Sequence, residues 1–173
     1  TDGSFYRGML NQNFNTDRYV FVGLAGCVLT DHPHAARWRR HAVEQFEAQM
    51  QAFVFPGGCW EESHTYANHV KMTLLPLVLA LRHAPQQVDL LKNKNFVATC
   101  RFFIPLLSPP DAKTGRRFVP AIGDHQLYKH DDFSCIFGWL ATLCPERRDE
   151  FLWAWQAQGS SVGERASMQT TTF

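Results

Sequence analysis

Between Gly57 and His69 the sequence reads GGCWEESHTYANH, which sets two acids, two histidines, a tyrosine and an asparagine just ahead of one of its most apolar stretches. On a helix starting near Glu62, at about 100° per residue, Glu62, Tyr66 and His69 share one face through spacings of four and three. A carboxyl, a phenol and an imidazole on one face can take up, hold and return a proton. An apolar stripe beside them shelters the trio, and shelter shifts pKa values enough for a tyrosine or carboxyl to act near neutral pH. The start of such a helix also favours an anion, for instance a substrate carboxylate. The same residues have plainer uses. A tyrosine heading an apolar stripe is ordinarily core, and a glutamate near a helix start complements the helix dipole.

Two other places add candidates. LNQNFNTDRY sets Asn13 and Asn15 just before a helix, where turn and cap roles compete with a binding role. FVPAIGDHQLY sets Gly123, Asp124 and His125 at the end of a long loop, again with a turn-and-cap alternative.

The elements that must position these groups read as helices almost throughout. The pattern predicts a first helix over 17–30, stopped by Asp31-His32-Pro33, and a second over about 34–54. Ala35, Trp38, Ala42, Phe46, Met50 and Phe53 recur there at spacings of three and four. Pro56-Gly57-Gly58 is a turn. A third helix starts near Glu62 with Val70, Leu74, Leu77 and Leu81 on one stripe, and Pro76 should kink it. A fourth is expected over 96–107, then a proline-rich basic loop over 108–122, a length at which loops are often functional. Two final helices are expected, at about 133–143 and 145–158, with Pro145 in a first turn and Gly159 at a C-terminal end. No strong strand pair stands out. The fold class expected is all-α, from antiparallel helical hairpins. Residues 1–159 would form the domain and 160–173 a polar tail.

The composition narrows the function. The 173 residues are 45% hydrophobic, enough for one core or part of a larger one. A net charge of +1 gives no electrostatic reason to expect nucleic acid. The longest apolar run is interrupted by Pro76, so no membrane insertion is expected. Five scattered cysteines, Cys27, Cys59, Cys100, Cys135 and Cys144, lack C-x-x-C spacing and read mainly as small buried apolar residues, with one disulfide left open. No ligand cluster has zinc spacing, and neither metal nor cofactor is expected.

The ordered motifs resemble a known family. GGCWEESHTY is similar to the D-G-x-W-x-E-G-x-x-Y segment of the heparinase II/III-like polysaccharide lyases, which include alginate-lyase relatives. VPAIGDH looks like that family's downstream P-x-x-G-D-S segment, and NFN like its upstream N-W-N segment. The helical rhythm of LLPLVLAL and LWAWQAQG fits as well, so the resemblance spans Asn13 to about Gly159. Three positions differ: Gly57 replaces the aspartate, Ser63 a glycine, and His125 the final serine.

The resemblance implies an incomplete (α/α) toroid of helical hairpins, part of a larger toroid, with a C-terminal β-sandwich domain outside this chain. It implies β-elimination on an acidic polysaccharide containing uronic acid, in the periplasm or outside the cell. The proton on C5 is removed, the bond from C4 to the glycosidic oxygen breaks, and a C4–C5 double bond remains. The substrate carboxylate must be neutralised, and one group must take the proton and return one to the departing oxygen. By motif position Tyr66 is the base and acid and Asn13 the carboxylate partner. Glu62 orients the site or, protonated, helps bind the carboxylate. Trp60, Asn15, His64, His69, Asp124 and His125 are the expected substrate contacts, with Trp60 stacking on a sugar, and Arg116 and Arg117 are weaker candidates in the long loop. Two other functions compete. One is a glycoside hydrolase on a similar toroid with Glu62 and Asp124 as its paired carboxylates. The other is a non-catalytic carbohydrate-binding or structural helical module.

Overall fold

The computed structural model describes residues 13–120, 122–123 and 134–160. The regular structure among them is all-helical, as the sequence pattern predicts: six α-helices and two short 3-10 turns. They fall into two compact units that divide between Phe102 and Phe103. Most of the proposed tail, 161–173, lies outside the described residues.

The first unit holds α1 (Asn13–Val28), α2 (Ala35–Phe53), α3 (His64–His83) and α4 (Lys94–Arg101). α1 packs on both α2 and α3, and two glycines allow the close approach. A Cβ on Gly23 would come 2.6 Å from Ala42 Cβ and 2.8 Å from Leu77 Cδ1. One on Gly26 would come 2.7 Å from the Ala35 carbonyl. Arg39, only 6% exposed, reaches back from α2 to donate to the Gly26 carbonyl. A cation there satisfies one of the last carbonyls of α1 and complements the negative end of its dipole.

The core is the set of apolar positions that the spacing selects: Ala42, Phe46, Met50, Leu74, Leu77, Leu81 and Phe96 are all fully buried. Trp38 is an exception. It stands half-exposed and stacks on His32, with ring centroids 4.4 Å apart. Pro76 is exposed, and α3 runs through it without ending.

Other boundaries moved for local reasons. α1 starts at Asn13, ahead of the expected Asp17. α3 starts at His64 with Ser63 before it as N-cap, so Glu62 stands outside the helix. The expected helix over 96–107 is instead α4, capped by Asn93, whose side chain accepts from the Phe96 N–H. α4 ends at Arg101, and single turns follow. Pro105 has no N–H to continue the ladder, and it disfavours helical geometry in the residue before it.

A tight turn joins α2 to α3. Val54 and Trp60 form an isolated antiparallel bridge, and the Phe55 N–H donates to Cys59 (2.8 Å) and that of Glu61 to Phe53 (3.1 Å). Gly57 and Gly58 both take positive φ, +88° and +94°. A Cβ on Gly58 would also run into the Ala98 carbonyl, so only glycine seats this turn against α4.

The second unit contains α5 (Ser134–Leu143) and α6 (Arg148–Ala157), which pack on each other. Phe137 and Phe151 lie between them, centroids 6.3 Å apart. Pro145 opens the short turn before α6, and Gly159 follows α6 with φ +97°. The basic loop is ordered by its own bonds. Ser108 and Phe118 bond reciprocally, and Asp111 accepts from the Lys113 and Thr114 N–H groups.

Candidate functional site

Three of the chemistry-bearing residues meet where the N-terminal ends of α1 and α3 adjoin. Asn13, the first residue of α1, is 8% exposed, and its backbone N–H donates to the Glu62 carboxylate. Trp60 Nε1 donates to Glu62 Oε2 at 3.1 Å. Glu62 thus ties the head of α1 to the turn that leads into α3. Its pKa is raised, first by burial, with repulsion from Glu61 adding to this. The two hydrogen bonds and the attraction of His69 oppose the rise. A carboxyl in that state holds its proton to higher pH than an exposed one.

Beside it, His69 Nε2 lies 3.0 Å from Asp17 Oδ1 and 3.3 Å from Oδ2. Thr73, one turn further along α3, donates to the same Asp17 oxygen at 3.2 Å. The His69 and Asp17 side chains keep 33% and 28% of their surface exposed. They lie 52 positions apart in the chain, so helix packing alone brings them together. With Asp17 on Nε2, the other ring nitrogen is the one left to meet a further group.

Sequence reasoning missed Asp17 and Thr73, with Asp17 read only as the start of the first helix. His69 and Thr73 form a polar pair at i, i+4 in an apolar helix, and that pair was the available signal. The identity of its partner on α1 was not legible.

Tyr66 lies three residues before His69 on α3 and is half-exposed, and Asn15 is half-exposed in the first turn of α1. His64 opens α3 and is 7% exposed. Trp60 is 4% exposed and meets Phe53 edge-on, centroids 6.2 Å apart. A ring so enclosed has no face for a sugar, so the stacking expected of it is corrected: Trp60 supplies the indole N–H that holds Glu62. The face argument is also corrected, since Glu62 stands in the turn before α3 and not on the helix face that carries Tyr66 and His69. Asp124 and His125 lie outside the described residues.

Arg116 and Arg117 serve the second unit. Arg116 Nε donates to the Gln158 carbonyl at 2.5 Å, the Arg117 N–H to Ala157 at 2.8 Å, and Arg117 Nη1 to Ser108 at 2.9 Å. The Arg117 guanidinium also lies over the Trp153 ring, 5.8 Å from its centroid.

Among the described residues no three His, Cys, Asp or Glu side chains are placed to hold a metal ion, and no helix is long and apolar enough to cross a membrane. No family model, curated protein or solved structure matches this chain.

Proposed function

We propose that this chain is the helical part of a polysaccharide lyase, an incomplete (α/α) toroid that cleaves a uronic-acid polysaccharide by β-elimination in the periplasm or outside the cell. One observation carries the reading. The asparagine segment and the Trp-Glu-Tyr segment, far apart in sequence, converge where α1 and α3 begin, with Asn13 donating directly to Glu62. The order of the motifs supports it further.

In this reading Tyr66 takes the C5 proton and returns one to the departing oxygen. A phenol (reference pKa about 10) suits a role as base and then acid. Asn13 helps neutralise the substrate carboxylate, as an amide can without bringing a charge that must be desolvated. Glu62 adds a proton donor to that carboxylate, because burial raises its pKa. His69, held by Asp17, assists at the open side. Elimination places negative charge on the carboxylate in the transition state, where donors fixed beforehand have their largest effect.

The test is ultraviolet absorbance over time with alginate, heparan sulfate, hyaluronan and polyglucuronate, for the wild type beside Tyr66→Phe. A rise that the variant loses supports the lyase and the role of Tyr66. Release of reducing ends without a rise means hydrolysis and overturns the proposal. Binding without either product identifies a carbohydrate-binding module.

A further inference from the structure

α1 is apolar on two sides, and α2 and α3 cover one of them. The inner side, with Thr16, Tyr19, Val20, Gly23 and Gly26, is buried. The outer side carries Phe14, Phe21 and Val28 at intervals of seven, 58, 65 and 76% exposed. Val22 flanks that row and Leu29 lies just past its end, both also exposed. From Tyr19 to Leu29 there is no charged residue. At the helical repeat, Phe14, Arg18, Phe21, Val22, Ala25 and Val28 fall within an arc of about 120°. Arg18 is the one charge on that arc. A helix that is apolar all round is normally covered all round.

The row is symmetric about Phe21, with Phe14 seven residues before it and Val28 seven after. Laid antiparallel on a second copy of itself, Phe21 meets Phe21 and Phe14 meets Val28, so every layer is apolar. The two Arg18 positions then lie about 9 Å apart along the axis, whereas parallel pairing sets them side by side. The surroundings of the two helix ends complement each other as well. Around the head stand Asp17, Glu61 and Glu62, the last accepting from the Asn13 N–H. At the tail Arg39 donates to the Gly26 carbonyl, and Arg37 and Arg40 are exposed on the same turns of α2, with Asp31 the acid nearby. Antiparallel pairing brings the more acidic head of one copy to the more basic tail of the other, and it opposes the two helix dipoles. Two copies meeting on these side chains cover about 1,000 Å², the lower end for a specific interface.

We propose that the outer face of α1 is a self-association surface, on which two copies of this chain pair antiparallel across a two-fold axis at Phe21. A contact of that kind uses the same patch on both copies, so it closes at two and does not grow into a filament. Its small area makes it a weak dimer, with a dissociation constant of about 1–100 μM. The proposal stands whether or not the chain is a lyase.

Sedimentation equilibrium on the whole chain, from about 1 to 300 μM, should show the weight-average mass rising from one chain towards two. Phe21→Glu should raise the dissociation constant by about 100-fold or more, because each change removes a central contact twice and sets two carboxylates together. Phe21 is largely exposed, so the variant should keep the circular dichroism of the wild type. Cysteine linking reads the register. Under mild oxidation Phe21→Cys should link to itself between copies, and a mixture of Phe14→Cys and Val28→Cys should link faster than either alone. Cys27 lies on another side of α1 and is half-buried with a free thiol, so the unsubstituted chain should not link. A wild-type chain that stays a monomer across the range overturns the pairing. So does a monomer whose melting temperature falls with Phe21→Glu, which would mean that another part of the same chain covers the face. A dimer that Phe21→Glu leaves unchanged places the contact elsewhere and also overturns it. Self-linking of Phe14→Cys and of Val28→Cys, each as fast as their mixture, overturns the antiparallel register.

Discussion

Both units place ionisable side chains at helix ends, and they use them differently. In the second unit the Arg116 guanidinium donates to the Gln158 carbonyl just past α6 and that of Arg117 to the Ser108 carbonyl in the loop, both backbone acceptors. Lying over the Phe118 and Trp153 rings, the guanidinium groups are part of the fold. In the first unit the acids stand where α1 and α3 begin, and they bond largely to other side chains: Trp60 to Glu62, His69 and Thr73 to Asp17. Asp17 and His69 keep about a third of their surface in water. The dipole favours both arrangements alike. A charged group bound to backbone is committed to structure, whereas one bound to titratable neighbours and left half-open keeps its chemistry available.

The largest expected effect tests that contrast directly. Tyr66→Phe should lower kcat/KM for uronate elimination by about 10²- to 10⁴-fold, the range for a lost general acid or base. Circular dichroism and thermal melting should be nearly unchanged. Arg117→Met should do the opposite, leaving the absorbance rate on the same substrate intact while lowering stability. If the arginine variant lost elimination instead, the division between the units would be wrong.

The next effect concerns the one fully buried lysine among the described residues. The folded pKa of Lys71 is lowered to about 7, against about 10.4 in the unfolded chain. Between those values the unfolded state binds more protons than the folded one, so this group makes stability rise with pH. Below about pH 7 both states are protonated and the destabilisation is complete and constant. Lys71→Met removes the slope. The stability advantage of the variant should therefore be greatest at pH 6 and shrink by roughly 4 kcal/mol by pH 10, as read from urea midpoints in a pH series. A constant difference across that window would show that the amine is not buried as charge.

Gly58→Ala comes third, at about 3 kcal/mol, because it combines positive φ with a collision against backbone that cannot move aside. Gly57→Ala has the same sign of φ and nothing within 4 Å, so it should cost only about 1 kcal/mol. The pair of denaturation curves separates conformational strain from the seat against α4.

Much of this was legible in the sequence, and the remainder was not, for identifiable reasons. Helical periodicity located α2 and the apolar stripe of α3 because burial repeats every three to four residues. Gly159 and Pro145 marked the ends of α6 because their backbone preferences are local. The register of α3 was misjudged. Ser63 heads the helix, and a motif containing two glutamates gives no local sign of which one precedes the cap. Trp60 was read as a sugar platform because an aromatic in a polar segment does not reveal whether its face is covered; Phe53 covers it. Asp17 was invisible as a partner of His69, since the pairing depends on how Gly23 and Gly26 let α1 settle on its neighbours. Arg116 and Arg117 were ambiguous because their acceptors, Gln158 past α6 and Ser108 across the loop, are set by the folded chain and not by local sequence.

The smallest effect bears on the finest part of the contrast. Thr73→Val keeps the shape of the side chain and removes the hydroxyl that donates to Asp17. The site is partly open, so water replaces that bond and the stability loss should stay under about 1 kcal/mol. Asp17 still holds His69 at 3.0 Å but loses one of the two groups that fix its orientation. If the Asp17–His69 pair belongs to the chemistry, elimination should fall several-fold with KM little changed, because positioning affects the transition state more than ground-state binding. If the pair only fastens α1 to α3, the melting temperature will drop slightly and the rate will not. Thr73 touches no group proposed to meet the substrate, so a selective loss of rate would have to be transmitted through Asp17 and His69.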